Sequence, residues 1–239
     1  MKRKILGIPV AVCGLAFLGM VTNASAGVIG HLDITNCGGG DVRVSATAID
    51  FTLPVGGGTG CIITGGTTNV SYAGGTLGAN VTGTILDLIL TPGNPPVPGF
   101  MTFNGTPLNF TLLSLGPGVS NAACSAVLDP NMPSCSVGGT TPFILTPTST
   151  GTSVTLSVFG TVSDGTLPIS NFLGAFTTQI SSTTPLSIAN TILAGGTVVS
   201  TNSGAFDITL TGVPEPGTLS MAALGGLLVL FAARKRAKA

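Results

Sequence analysis

The 239-residue chain has no tryptophan, one tyrosine and one histidine, and only 7% of its residues are charged. Each scarcity excludes something. With Tyr72 as the one large polar aromatic, the core falls to Val, Ile, Leu and Phe, and the surface lacks the rings on which sugar sites commonly stack. Between residues 27 and 213 there is no lysine and no glutamate, and His31 is the one histidine. The groups that move protons or attack carbonyls are nearly absent from that stretch. Neither Gly-x-Ser-x-Gly nor His-Glu-x-x-His occurs. His31 beside Asp33 is a fragment of a triad on paper, and a surface histidine near a strand end accounts for it more simply. The aspartates are scattered, so no two stand out as a glycosidase pair. The expectation is a protein that is not an enzyme and needs no cofactor.

Charge is scarce in a particular place. The formal net charge is zero, but Lys2, Arg3 and Lys4 lie at the start, and Arg234, Lys235, Arg236 and Lys238 at the end. Between them Arg43 stands alone against Asp33, Asp41, Asp50, Asp87, Asp129, Asp164 and Asp207, a net of −6. One cation cannot neutralise a phosphate backbone, so nucleic acid is not an expected partner. The same imbalance argues against electrostatic adsorption of residues 27–213 to anionic membranes.

What is present is clearest at the two ends. Met1-Lys2-Arg3-Lys4 is a basic n-region, 5–21 an apolar h-region, and Ala24-Ser25-Ala26 a small-residue cleavage site that leaves Gly27 first. Residues 1–26 are therefore expected to be a signal peptide, with an export translocon and signal peptidase as partners. At the other end Val213-Pro214-Glu215-Pro216-Gly217 precedes the uncharged apolar run 218–233 and the basic tail 234–238. The prolines cannot continue a strand ladder, the run has helical propensity, and the cations stop transfer and hold the tail in the cytoplasm. Sixteen residues at about 1.5 Å each give roughly 24 Å, short of a hydrocarbon core of about 30 Å.

In its order of proline-glutamate box, short apolar helix and basic end, this tail resembles the PEP-CTERM sorting domain of Gram-negative bacteria. The resemblance covers about the last tenth of the chain. It implies an exosortase, a membrane-embedded cysteine transpeptidase, as partner, with processing near Pro214–Pro216. It also implies transient inner-membrane anchoring and then release to the cell surface or matrix, in bacteria that export polysaccharide and build biofilm. Exopolysaccharide is a further implied partner.

Cys13 goes with the signal, leaving Cys37, Cys61, Cys124 and Cys135. An even number in an exported chain reads as disulfides, with three connectivities open. Cys37–Cys61 and Cys124–Cys135 is the economical choice, since each pair flanks a turn-rich loop. A zinc site is disfavoured by one histidine and no Cys-x-x-Cys, so no metal site is expected.

Residues 27–213 read as short strands punctuated by glycine. Strands are expected over 28–35, 41–53, 81–90, 100–103, 108–115, 143–146, 153–163, 172–180, 197–201 and 205–211. The Pro/Gly segment 92–99 is a candidate sub-domain seam. One helix is expected, with Thr184 as N-cap, Pro185 at N1 and Gly195 past its end. The expected fold class is all-β, an antiparallel β-sandwich-like body between an N-terminal signal helix and a C-terminal apolar helix. Its expected role is that of a structural or adhesive protein of the cell surface or biofilm matrix. The alternative is an ice- or carbohydrate-binding module using threonine-rich strand faces, such as Thr82/Thr84 or the series Thr146, Thr148, Thr150 and Thr152.

Overall fold

The computed structural model describes residues 27–38, 40–51, 59–90, 95–139 and 141–211. The expected signal peptide, the proline-glutamate box, the apolar run and the basic tail lie outside them. Along the described chain run β1 (Gly30–Asn36), β2 (Val42–Val44), β3 (Ala48–Phe51), β4 (Thr59–Thr64), β5 (Val70–Tyr72), β6 (Gly75–Leu77), β7 (Thr82–Leu86) and β8 (Leu88–Ile89). They are followed by β9 (Val97–Phe103), β10 (Asn109–Leu115), β11 (Phe143–Pro147), β12 (Gly151–Ser163), β13 (Ser170–Ser181), α1 (Pro185–Leu193), β14 (Val198–Ser200) and β15 (Ser203–Leu210).

Eight of these strands close on themselves. The order β10-β9-β7-β4-β1-β15-β13-β12 is antiparallel at every step, and β12 pairs again with β10. Read round the ring, the strands follow chain order, so this is an up-and-down barrel with insertions between its staves. An antiparallel ring closes only with an even number of strands, and eight satisfies this. The all-β, antiparallel expectation stands; the two facing sheets of a sandwich give way to one closed barrel-like sheet. The long strand β12 makes closure possible. Its residues 158–163 pair with β10 and its residues 152–156 with β11, which hangs on the same edge. The expected seam 92–99 runs into β9, which starts at Val97, and β7 and β9 are ring neighbours.

Inward positions alternate with outward ones, and phenylalanine fills the middle. Phe103, Phe110, Phe172, Phe206, Phe176 and Phe100 touch in succession, with ring centroids 5.3 to 6.1 Å apart and mostly edge to face. Phe51 joins at the end, 5.6 Å from Phe176. Each such ring, fully buried, contributes about 1.5–3 kcal/mol of transfer free energy. Two close approaches depend on glycine. A Cβ on Gly174 would fall 2.5 Å from Phe206 Cδ1 and 2.1 Å from the Ala205 carbonyl; one on Gly160 would fall 2.5 Å from Phe172 Cε1. The barrel is thus a packed core and not a channel.

Alternating strand direction puts the insertions at defined ends. The connections β1–β4, β7–β9, β10–β12 and β13–β15 all lie at one end, here the lid end. Three of them supply a four-stranded sheet, β14-β2-β3-β8, whose Val42, Ile49, Phe51 and Leu88 are buried in the barrel core. Beside it α1 lays Ile188, Ala189 and Ile192 against Cys135, Val137 and Leu145 in a second apolar cluster. Between lid, helix and wall remains an apolar cavity of about 50 Å³. At the opposite, terminal end the β5–β6 hairpin inserts Val70 and Leu77, and Asp164 accepts a hydrogen bond from the Ala73 amide at 2.8 Å.

Two expected strands divide. Within the expected strand 41–53, the described part Val42–Phe51 is a hairpin, because Ser45 Oγ accepts from the Thr47 and Ala48 amides and the Ser45 amide donates to the Ala48 carbonyl. The stretch 81–90 splits at Asp87, whose carboxylate leaves the strand to accept from the Phe51 amide at 2.9 Å. Burial pushes the Asp87 pKa up, partly offset by that hydrogen bond.

Candidate functional site

The residues with the sharpest functional reading are at the ends of the chain. Ala24, Ala26, Val213–Gly217 and the cations Arg234, Lys235, Arg236 and Lys238 lie outside the described residues. What the fold does fix is where the body hands over to them. Gly27 leads into β1 and Thr211 follows β15, and β1 and β15 are antiparallel neighbours with Gly30 opposite Ile208. Both therefore leave from the terminal end. Gly27 is buried, and a Cβ there would lie 2.5 Å from Leu210 Cδ2 and 2.7 Å from the Pro168 carbonyl. Among the described residues no helix is long and apolar enough to cross a membrane.

The four cysteines of the body form Cys37–Cys61 and Cys124–Cys135, with Cα atoms 5.4 and 5.2 Å apart. The first ties β1 to β4 at the lid end and closes the loop that carries β2 and β3. The second joins a long connection to the cluster under α1, where Cys135 is fully buried. Among the described residues no group of three or more His, Cys, Asp or Glu is placed to hold a metal.

His31 meets an unforeseen partner on the outer wall. Its Nε2 lies 3.1 Å from Asp33 Oδ1, and its Nδ1 lies 2.8 Å from Asp207 Oδ1, 176 positions away in sequence and adjacent only because β1 pairs with β15. Both ring nitrogens can donate only in the imidazolium form. The hydrogen bond to Asp207 raises the His31 pKa above 6.5; burial opposes it, and Asp33 adds to it. With both nitrogens committed to carboxylates, neither is left to take a proton from a nucleophile.

The threonine series does not make one flat face. Thr146 is on β11 and Thr152 on β12, and the chain reverses between them where the Thr148 amide and hydroxyl both donate to the Gly151 carbonyl. Thr152 is fully buried and donates to the Thr183 carbonyl at 2.6 Å. The pair Thr82 and Thr84 does face outward, and Thr84 Oγ1 meets Thr102 Oγ1 at 2.8 Å.

A polar notch opens where β15 ends short of β13. Pairing of β13 with β15 stops at Thr177 opposite Ser203, and β13 continues to Ser181. The resulting groove, about 500 Å³, is walled by hydroxyls and carboxamides, among them Asn36, Thr178, Gln179 and Asn202, and carries no ionisable side chain. Asn36 Oδ1 and Asn202 Oδ1 are buried out of reach of solvent, each without a hydrogen-bond partner. A ligand in the groove would meet Gln179 and the hydroxyls of Thr201 and Ser203, which are exposed, uncharged groups. In the sequence Asn36 lies between Thr35 and Cys37 and Asn202 between Thr201 and Ser203, with no local signal that marks either.

No curated protein and no solved structure matches the chain. Residues 212–236 match a family model described as the PEP-CTERM protein-sorting motif. That match contains the whole Val213–Gly217 box, the apolar run and most of the basic tail. The chain carries a PEP-CTERM protein-sorting motif, the signal for exosortase-dependent sorting to the cell envelope.

Proposed function

We propose that this is a structural or adhesive protein of the bacterial surface or extracellular matrix, without turnover of its own. Exosortase delivers it by processing near Pro214–Pro216. The observation that carries the reading is a sorting motif at 212–236 attached to a disulfide-braced body whose barrel is filled with phenylalanine. Such a body is suited to persistence outside the cell, where disulfides endure. Anchoring in the inner membrane through 218–233 is transient in this scheme. Replacing Pro214, Glu215 and Pro216 by alanine is expected to abolish delivery to the envelope and leave the intact chain in the membrane fraction. Intact-mass spectrometry of wild-type protein from native cells should give a start at Gly27 and an end near Pro216. A mature protein that keeps Ala239 would turn 218–233 into a permanent anchor and overturn the scheme.

The notch favours a second reading, a module that binds neutral carbohydrate through side-chain amides and hydroxyls and not through flat threonine faces. Saturation-transfer NMR of the full chain with neutral mono- and disaccharides is the test. Transfer should be lost in Asn202→Ala and in Gln179→Ala, an exposed position, and kept in Thr84→Ala on another part of the wall. Transfer that survives all three removes the notch from consideration.

A further inference from the structure

The notch does not stop at the surface. β15 begins at Ser203, while β13 runs on to Ser181 and β1 to Asn36, so at the lid end a gap is left in the wall between β13 and β1. Thr201 and Asn202, which lead from β14 into β15, cross that gap. The apolar cavity under the lid lies directly behind it: notch and cavity share Thr177, Thr178, Thr201 and Asn202 in their linings.

Thr178 stands at the junction. Alternation along β13 turns 172, 174, 176, 178 and 180 inward, and Thr178 is the one hydroxyl among Phe172, Gly174, Phe176 and Ile180. Its Oγ1 is hydrogen-bonded to Ser200 Oγ, and Ser200 Oγ donates to the Thr201 carbonyl at 3.0 Å. A hydroxyl has one proton to give, so Thr178 donates in that pair and keeps its capacity to accept.

The two spaces have opposite chemistry. The outer one offers Gln179 and the hydroxyls of Thr201 and Ser203, all exposed. The inner one is bounded largely by hydrocarbon, including Val44, Phe51, Leu156, Ile188, Ile192 and Val198. Among the described residues neither space is lined by a charged side chain. The inner volume of about 50 Å³ has room for about two carbon-sized groups, and not for a ring or a long chain.

We infer that notch and cavity form one site for an uncharged sugar unit carrying a short apolar substituent, an alkyl or acyl group of about two carbons. Such a site presupposes the carbohydrate reading of the notch and adds to it the feature that selects the ligand. The sugar hydroxyls lie against Gln179, Thr201 and Ser203, and the substituent passes Thr178 into the cavity. Val44 and Val198 belong to β2 and β14, lid strands of three residues each, which can yield as the group enters. Each carbon buried there strengthens binding about fourfold until the cavity is full.

The test is a titration of the full chain, methyl-labelled at Ile, Leu and Val, with glucose, galactose and their methyl, ethyl and butyl β-glycosides. For the sugar that binds, affinity is expected to rise about fourfold from methyl to ethyl glycoside and to level off at butyl. NOEs should connect the ethyl protons to methyl groups of Ile192 and Val198. Val198→Phe fills the cavity from a half-buried lid position. It should bring the ethyl glycoside down to the affinity of the free sugar and leave the free sugar unchanged. Equal affinities across the series, or ethyl protons without NOEs to those methyl groups, overturn the inference and leave the notch a plain carbohydrate site. A rise that continues undiminished through butyl also overturns it, since a cavity of this size would already be full. Failure of every sugar and glycoside to bind overturns the inference together with the carbohydrate reading. The NOEs are read on the wild-type chain, so they decide the matter even where Val198→Phe loses its thermal transition.

Discussion

His31 is the one side chain on the wall whose charge changes near neutrality. Its folded pKa is raised, first by the hydrogen bond to Asp207 and then by Asp33, against the lowering effect of burial. The stabilisation from the Asp33–His31–Asp207 set is therefore fully present below pH 6.5 and is lost as pH rises through the folded-state value. The His31 and Asp207 side chains are 37% and 80% exposed, so water screens the pair and the change amounts to about 0.5 kcal/mol. Urea midpoints of wild type and His31→Gln, measured from acid through neutral to mildly alkaline pH, should converge as pH rises. Parallel curves would mean that the imidazolium contributes nothing. Asp164 works in the opposite sense. Burial would raise its pKa, but the hydrogen bonds from Thr166 and Ala73 outweigh that and lower it. Its contribution is present above pH 3.8 and lost as pH falls through the folded-state value.

Elements set by their own neighbours in sequence were legible; elements set by distant partners were not. Helix α1 carries its instructions locally. Thr184 Oγ1 accepts from the Ser187 amide at 3.3 Å, and Pro185 opens the first turn. Both disulfides link cysteines on either side of one loop, so turn chemistry sufficed to pair them. The β2–β3 turn was hidden because Ser45 makes it with a hydroxyl and not with glycine or proline. Asp87 looked like any outward strand residue until the lid brought Phe51 to it. Ring closure was invisible: β1 meets β15 across more than 170 positions, and no repeat in the sequence announces it. Gly160 and Gly174 read as punctuation in a strand pattern, yet each receives a phenylalanine ring from a neighbouring strand. Asn36 and Asn202 needed the same closure before they faced one groove.

At the largest scale the described body is a packed barrel with a less continuous cap, and the two should not be equally stable. The wall is anchored by β12, β13 and β15, strands of 13, 12 and 8 residues sharing the phenylalanine core. The lid strands β2, β3, β8 and β14 have 3, 4, 2 and 3 residues and border a small cavity. Cys37–Cys61 restrains the excursion that carries β2 and β3; closing a loop of that length is worth about 3–4 kcal/mol in the chain-entropy account. In the full chain, Cys37→Ser with Cys61→Ser releases that excursion without touching the inward-facing phenylalanines. Hydrogen exchange followed by mass spectrometry should then show peptides from β2, β3 and β14 losing protection by about two to three orders of magnitude. Peptides from β12 and β13 should keep most of theirs, because local opening draws on the elements with fewest buried contacts. Loss of protection in lid and wall together would make them one cooperative unit, and the disulfide would then be a brace for the entire body. Preferential loss in the lid would place the adaptable part of the body at the end opposite Gly27 and Thr211, and leave the long strands of the barrel as its rigid part.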